Sequence, residues 1–433
     1  MKKAYLIYIL VFLISCVAQK PENLVQQNDI ERIIRTLSAD EMQGRAVFTP
    51  GIEKAASFIE SEFRQIGLQP FKGQNTFRQE FSMTNIKPIA LSVSVNGNVI
   101  DENNVLVITD KPGLNWNTAS GVETQFIKSG DIFMSRYRSI MTLNKPVIIF
   151  VDEEFYDAFK RVRNFFMGER LIDEPRENTA AVFIIGTKDP STYQINFTNK
   201  IEQAPLFNIA GIIPGKSKPD EYVIFSGHYD HLGILEDVKG DSIANGADDD
   251  ASGITAVMSL ARYYKKLNNN ERTLIFVAFT AEESGMIGSK YFSEKLNPDE
   301  IKAMFNIEMI GKESKFGKNS AFITGFDRSD FGTILQKNLV GTGFTFYPDP
   351  YKEQQLFYRS DNATLAALGV PAHTISTDQI DIDKFYHTVD DEFETLNIAN
   401  ITATIKAIAL SSRGIVAGTE TPKRITPISP KTP

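Results

Sequence analysis

The chain has 433 residues, with 46 Lys and Arg against 54 Asp and Glu, for a formal net charge of −8. That acidic balance excludes nucleic acid and anionic surfaces as general partners. The length exceeds one minimal core and predicts a main domain with an insert or companion.

Lys2 and Lys3 precede an almost wholly apolar run from Ala4 to Ser15. The run is too short to span a bilayer as a helix, which takes roughly 20 residues, and it fits an export signal. Leu13-Ile14-Ser15-Cys16 resembles a bacterial lipobox, which makes residues 1–16 a lipoprotein signal and Cys16 the lipidated residue. Cys16 is the only cysteine, so no disulfide is possible within the chain. Residues 17–28 are polar and read as a tether.

Apolar residues then recur at helical spacing over 29–37 and 52–66, where Ile52, Ala55, Ala56, Ile59, Phe63 and Ile66 line one face and Gly67 supplies the stop. From 87 to 206 the texture changes to short β-rich runs such as 91–95, 147–151 and 181–185. This stretch holds no His and reads as an inserted domain remote from the chemistry. Beyond Phe207, strands over 222–226, 273–279 and 304–307 alternate with a helix carrying Ile254, Val257, Leu260, Ala261 and Tyr264. That alternation predicts a mostly parallel α/β sheet, whose ligands gather beyond the carboxyl ends of its strands. The main domain is therefore expected over 29–86 and 207–414. The Pro- and Thr-rich tail, 415–433, reads as disordered.

Three of the four histidines fall in or near acidic motifs. His228 and Asp230 share one loop, and a neutral imidazole suits zinc while a nearby carboxylate can fix its tautomer. His231 competes for the ligand role as the weaker candidate. Asp248-Asp249-Asp250 lies between Gly246 and Gly253, which allow unusual backbone geometry, and Ser252 is placed to cap the next helix. Glu282-Glu283 follows an apolar strand and needs a cation or a proton-transfer task if it faces a cleft. Glu308 ends the third strand, and His387 lies on a loop with Asp390 and Asp391. A core histidine, a solvated acidic turn and a surface Glu pair are the bland alternatives. His373, after Pro371, reads as structural.

The order of these motifs is similar to that of the co-catalytic two-zinc aminopeptidases, a family that includes glutamate carboxypeptidases, glutaminyl cyclases and inactive receptor ectodomains. Leu37-Ser38-Ala39-Asp40-Glu41-Met42-Gln43-Gly44-Arg45 resembles its amino-terminal signature, and Arg359-Ser360-Asp361 a later block. The resemblance implies a three-layer α/β/α fold with a mostly parallel mixed central sheet and a β-rich insert, placed like a protease-associated domain. It implies that His228 and Glu308 hold a first zinc, Glu283 and His387 a second, and Asp249 bridges both across a cis peptide to Asp250. Glu282 becomes the general base, with Asp230 supporting His228. Glu308 stands where relatives usually carry Asp, and Asn362 where His is frequent.

The expected function is zinc-dependent exopeptidase activity, that of an aminopeptidase on peptide N-termini, in an exported protein lipid-anchored in the bacterial cell envelope. Cobalt or manganese suit the same donors. A carboxypeptidase or dipeptidase, a glutaminyl cyclase on the same scaffold, and a non-catalytic surface-binding lipoprotein are the alternatives.

Overall fold

The computed structural model describes residues 21–71, 73–176 and 178–427. They divide into two compact units. One takes the chain up to Arg78, then Asn208–Glu282 and everything from Ser289; the other takes Gln79–Phe207 and Glu283–Gly288.

The first unit is built on a mixed sheet. From one side to the other run Thr345–Pro348, Ser320–Ile323, Ala372–Ser376, Ile301–Ile307, Lys218–His228, Arg272–Phe279 and the end of Tyr193–Ile213. The strands Ala372–Ser376, Ile301–Ile307, Lys218–His228 and Arg272–Phe279 are mutually parallel. Antiparallel neighbours flank them on both sides. These four are almost unbroken apolar runs because both of their faces are covered. Ile224, Ile275 and Met304 bury one face against Phe292, Leu365 and Ala366. The alternate residues Phe225, Phe276 and Phe305 stack on the other, with ring centroids 5.4 and 4.9 Å apart along the row. Each such side chain contributes about 1.5–3 kcal/mol by leaving water. On the Phe225 face, the helices Gln27–Leu37, Pro50–Ile66, Gly253–Leu267 and Ile398–Ser411 pack on one another. The result is the expected α/β/α layering, with the carboxyl ends of four parallel strands along one edge.

The structure differs from expectation at both ends of the described chain. Within the segment read as a tether, Pro21–Leu24 forms a short helix, Val25 is only 3% exposed, and the first long helix starts at Gln27. The tail is ordered as far as it is described. Arg272 donates to the carbonyls of Ile415 and Glu420 and to the Thr421 hydroxyl, and Ile425 sits in the core at 2% exposure. A buried guanidinium and one apolar anchor outweigh the Pro- and Thr-rich composition. Residues 1–20, with Cys16, and 428–433 lie outside the described residues.

The second unit has its own four-stranded sheet in the order Val105–Thr109, Ala180–Ile185, Pro146–Val151, Glu123–Ile127. The last three are parallel, joined through the helices Phe133–Met141 and Tyr156–Phe166. The stretch read as simply β-rich thus holds a small α/β sheet with apolar clusters on both faces. It starts at Gln79 and ends at Phe207.

Candidate metal centre

The strand ending at His228 delivers a fully buried imidazole to the carboxyl edge of the sheet. Its Nε2 lies 3.1 Å from Asp249 Oδ1 and 4.0 Å from Glu282 Oε2. The other Asp249 oxygen, Oδ2, lies 3.2 Å from Nε2 of His387. One carboxylate is thus bracketed by two imidazoles from loops far apart in sequence. Glu308, just beyond its strand, completes a set in which His228, Asp249 and Glu308 each offer a ligand atom within 4.8 Å of the others.

His228 Nε2 and Asp249 Oδ1 are both buried and, despite their proximity, form no hydrogen bond with each other. With the imidazole deprotonated, the two atoms would lie at roughly the spacing of two donors that one zinc ion holds at ~2 Å. The charges agree. Burial works to lower His228, but Glu282, Asp249 and Asp250 outweigh it and push the imidazole well above its ordinary value. Burial works to raise Asp249, yet His228 and His387 hold its carboxyl well below the usual range. A cation between these groups would relieve the same imbalance, so the residues fit the metal pair that their order implies.

Asp249 is held by its backbone. The peptide to Asp250 is cis, as expected. Asp391 accepts from the amides of Asp248 and Asp249. The Arg45 guanidinium, 1% exposed, donates to the carbonyls of Leu37, Tyr229, Asn245, Gly246 and Asp249. This gives the amino-terminal signature its physical meaning: Arg45 ties the loop of His228 to the loop of Asp249. Asp250 accepts from the amides of His228, Gly253 and Met309, so it organises the strand ends rather than facing the cleft. Gly253 is required for close approach, since a Cβ there would meet the Ile307 carbonyl at 2.1 Å.

Two expected roles change. The His228 ring is oriented by the backbone carbonyl of Asp230, 3.1 Å from Nδ1, whereas the Asp230 carboxylate is 3.9 Å away. That carboxylate instead accepts the backbone N–H of Glu282 at 3.1 Å, because the loop turns it toward the neighbouring strand end. Ser252 does not cap its helix; its hydroxyl donates to Asp248 and accepts from Ile310. Glu283 directly follows Glu282 and opens the short segment 283–288 that groups with the second unit.

The remaining histidines separate cleanly. His231 Nδ1 lies 3.9 Å from Asp249 Oδ2, closer to the centre than its weaker ranking suggested. His373 is structural, as expected. It is fully buried between the Thr324 carbonyl and the Ser329 hydroxyl and stacked on Phe331. Asn362 is buried and bonded to Phe357, Ala372 and Thr374, which makes it part of the scaffold. Arg45 and Asp391 lay inside the quoted motifs, but no local pattern announces a clamp that acts on carbonyls and amides.

Residues 208–411 match Peptidase family M28. Leucine aminopeptidase 1 of Penicillium rubens is 30% identical over 233 residues, 51% of this chain and 58% of that protein. A probable zinc metalloprotease of Pyrenophora tritici-repentis is 34% identical over 109 residues, 24% of each chain. This chain thus spans less than two thirds of these relatives' own length. Among solved structures, the aminopeptidase from Aneurinibacillus sp. strain AM-1 superposes with a TM-score of 0.59 at 18% identity, covering 94% of this chain and 98% of the other. At that identity the likeness establishes the fold. The motif order, the sheet and the sequence match agree, and over residues 208–411 this chain is similar to peptidase family M28.

Proposed function

We propose that the protein is a zinc-dependent aminopeptidase that removes N-terminal residues from peptides. The observation that carries this reading is the Asp249 carboxylate bracketed by His228 and His387, with Glu282 beside the same His228 nitrogen. His228, Asp249 and Glu308 would hold one zinc ion; Asp249, Glu283 and His387 would hold the other. The pair, when bound, supplies Lewis-acid polarisation of the scissile carbonyl and a water that ionises near neutrality.

Glu282 takes the proton of the attacking water as its oxygen bonds to the carbonyl carbon. It returns that proton to the amine as the C–N bond breaks. Asp230 keeps this base in place by holding its backbone amide. Next to Glu308 opens a small pocket whose walls include the apolar Met309, Phe322, Leu356 and Tyr386 beside the polar Arg359 and Asp378. It suits an apolar side chain on the N-terminal residue, in keeping with relatives named leucine aminopeptidase.

The test is hydrolysis of free-amine and amine-blocked peptides by a chain beginning after Cys16, with and without a chelator. Cleavage of the free-amine series alone, lost on chelation, is expected; cleavage of blocked peptides, or cyclisation of N-terminal Gln without hydrolysis, would overturn the proposal. Glu282→Gln should keep near-normal zinc and lose roughly 10²–10⁴-fold in kcat. Export with a lipid on Cys16 is the companion proposal, resting on residues 1–16. Metabolic labelling with palmitate should mark the chain and spare Cys16→Ser; equal labelling of both would refute it.

A further inference from the structure

Beside the centre lies a second group of carboxylates, one of which, Asp378, also lines the pocket next to Glu308. Asp248, Asp378 and Asp383 each offer an oxygen within 4.8 Å of the others. Their surroundings are dry: Asp248 is fully buried, Asp378 is 3% exposed, and the Asp383 side chain is 5% exposed.

Each acid spends its oxygens differently. Asp248 Oδ1 accepts from the Gly311 amide and Asp383 Oδ1 from the Phe385 amide, while the second oxygen of each faces the Lys312 ammonium. Both oxygens of Asp378 are buried without a hydrogen-bond partner. Lys312 answers only part of this charge. Its Nζ lies 3.3 Å from Asp248, 3.5 Å from Asp383 and 3.7 Å from Asp391, and its charge acts on Asp378 from farther off. Were all four acids ionised, one ammonium would leave a buried excess of negative charge, which costs several kcal/mol per ion unless a counter-charge or a proton meets it. Asp378 is the member farthest from that ammonium, and neither of its oxygens has a hydrogen-bond partner.

We infer that Asp248, Asp378 and Asp383 form a third cation site, distinct from the zinc pair and specific for a hard divalent ion such as calcium. The donors are carboxylate oxygens with no imidazole or thiolate among them, the set that suits calcium, magnesium or manganese rather than zinc. Lys312 neutralises the flank toward Asp391 and leaves the Asp378 flank to the ion. Asp391 in turn holds the amides of Asp248 and Asp249. An ion here therefore braces the loop that presents the bridging carboxylate without touching the reacting atoms. The inference is independent of the proposed activity, because it is read by binding alone.

The experiment is calorimetric titration of the zinc-loaded chain with calcium chloride, with metal content measured before and after. One calcium per chain, with zinc content unchanged, is expected. Asp378→Asn should weaken calcium binding at least tenfold while zinc content stays at the wild-type level. Should that variant fail to fold, Asp383→Asn provides the same comparison. Absence of calcium binding up to millimolar concentration in the folded wild-type chain would overturn the inference and assign shared protons to the cluster. Equal calcium affinity in wild type and variant would overturn it too, placing the ion elsewhere.

Discussion

Both units of this chain carry a parallel sheet whose strands end along one edge, yet only one edge is built for metal chemistry. In the first unit the strand ends lead into His228, Glu282 and Glu308, and His228 Nε2 and Asp249 Oδ1 are buried there without a hydrogen-bond partner. In the second unit the strands end at Ile127, Val151 and Ile185, and the acids that follow Val151 are exposed and occupied. Glu154 accepts from Ser129 and Gly130, and Asp152 caps the next turn through the Glu154 amide. An open α/β edge is thus an opportunity, and what turns it into a site is burial of donors that cannot satisfy one another.

The largest expected effect comes from removing what holds the first edge together. Arg45→Met leaves five buried carbonyls without their donor. It should cost at least ~3 kcal/mol in denaturant unfolding and lower zinc occupancy; a variant that keeps both would show that the edge assembles without its clamp.

A pH experiment probes the same unit away from the metals. Burial pushes His373 down to about 4 from an ordinary 6.5. The unfolded chain therefore binds more protons below about pH 6.5, so this contribution is complete above that pH and is lost as pH falls toward 4. The loss is about 3 kcal/mol at most. Unfolding of the chelated protein at pH 7.5 and 4.5 measures it, and His373→Gln should flatten the difference.

The smallest effect sharpens the contrast from the other side. Glu154→Ala in the second unit should cost about 0.5–1 kcal/mol, with turnover and zinc content unchanged. A loss of zinc there would mean that the two edges are not separate in function.

Much of the site was legible because its chemistry is carried by rare residues at strand ends. With only four histidines in the chain, the positions of His228 and His387 had few alternatives. The helix over 52–66 and its Gly67 stop were equally plain, since apolar spacing and a left-handed cap are local signals. Less legible were Arg45, Asp391 and the carboxylate of Asp230, whose partners are main-chain groups up to 204 residues away. A backbone carbonyl or amide looks the same at every position of a sequence, so a side chain that binds one gives no local sign of it. The ordered tail escaped for a related reason: Ile425 and the partners of Arg272 gain their burial only from strands already assembled.

The sequence by itself determined which donor types exist and the order in which strand ends present them, because composition and hydrophobic period act locally. Only the tertiary structure decided that Asp249 sits between two imidazoles, that the Asp230 carboxylate serves the Glu282 backbone, and that Asp378 faces other acids with neither oxygen hydrogen-bonded. Those are consequences of distances between remote segments, and they arise once the packed sheet excludes the water that would otherwise satisfy each group separately.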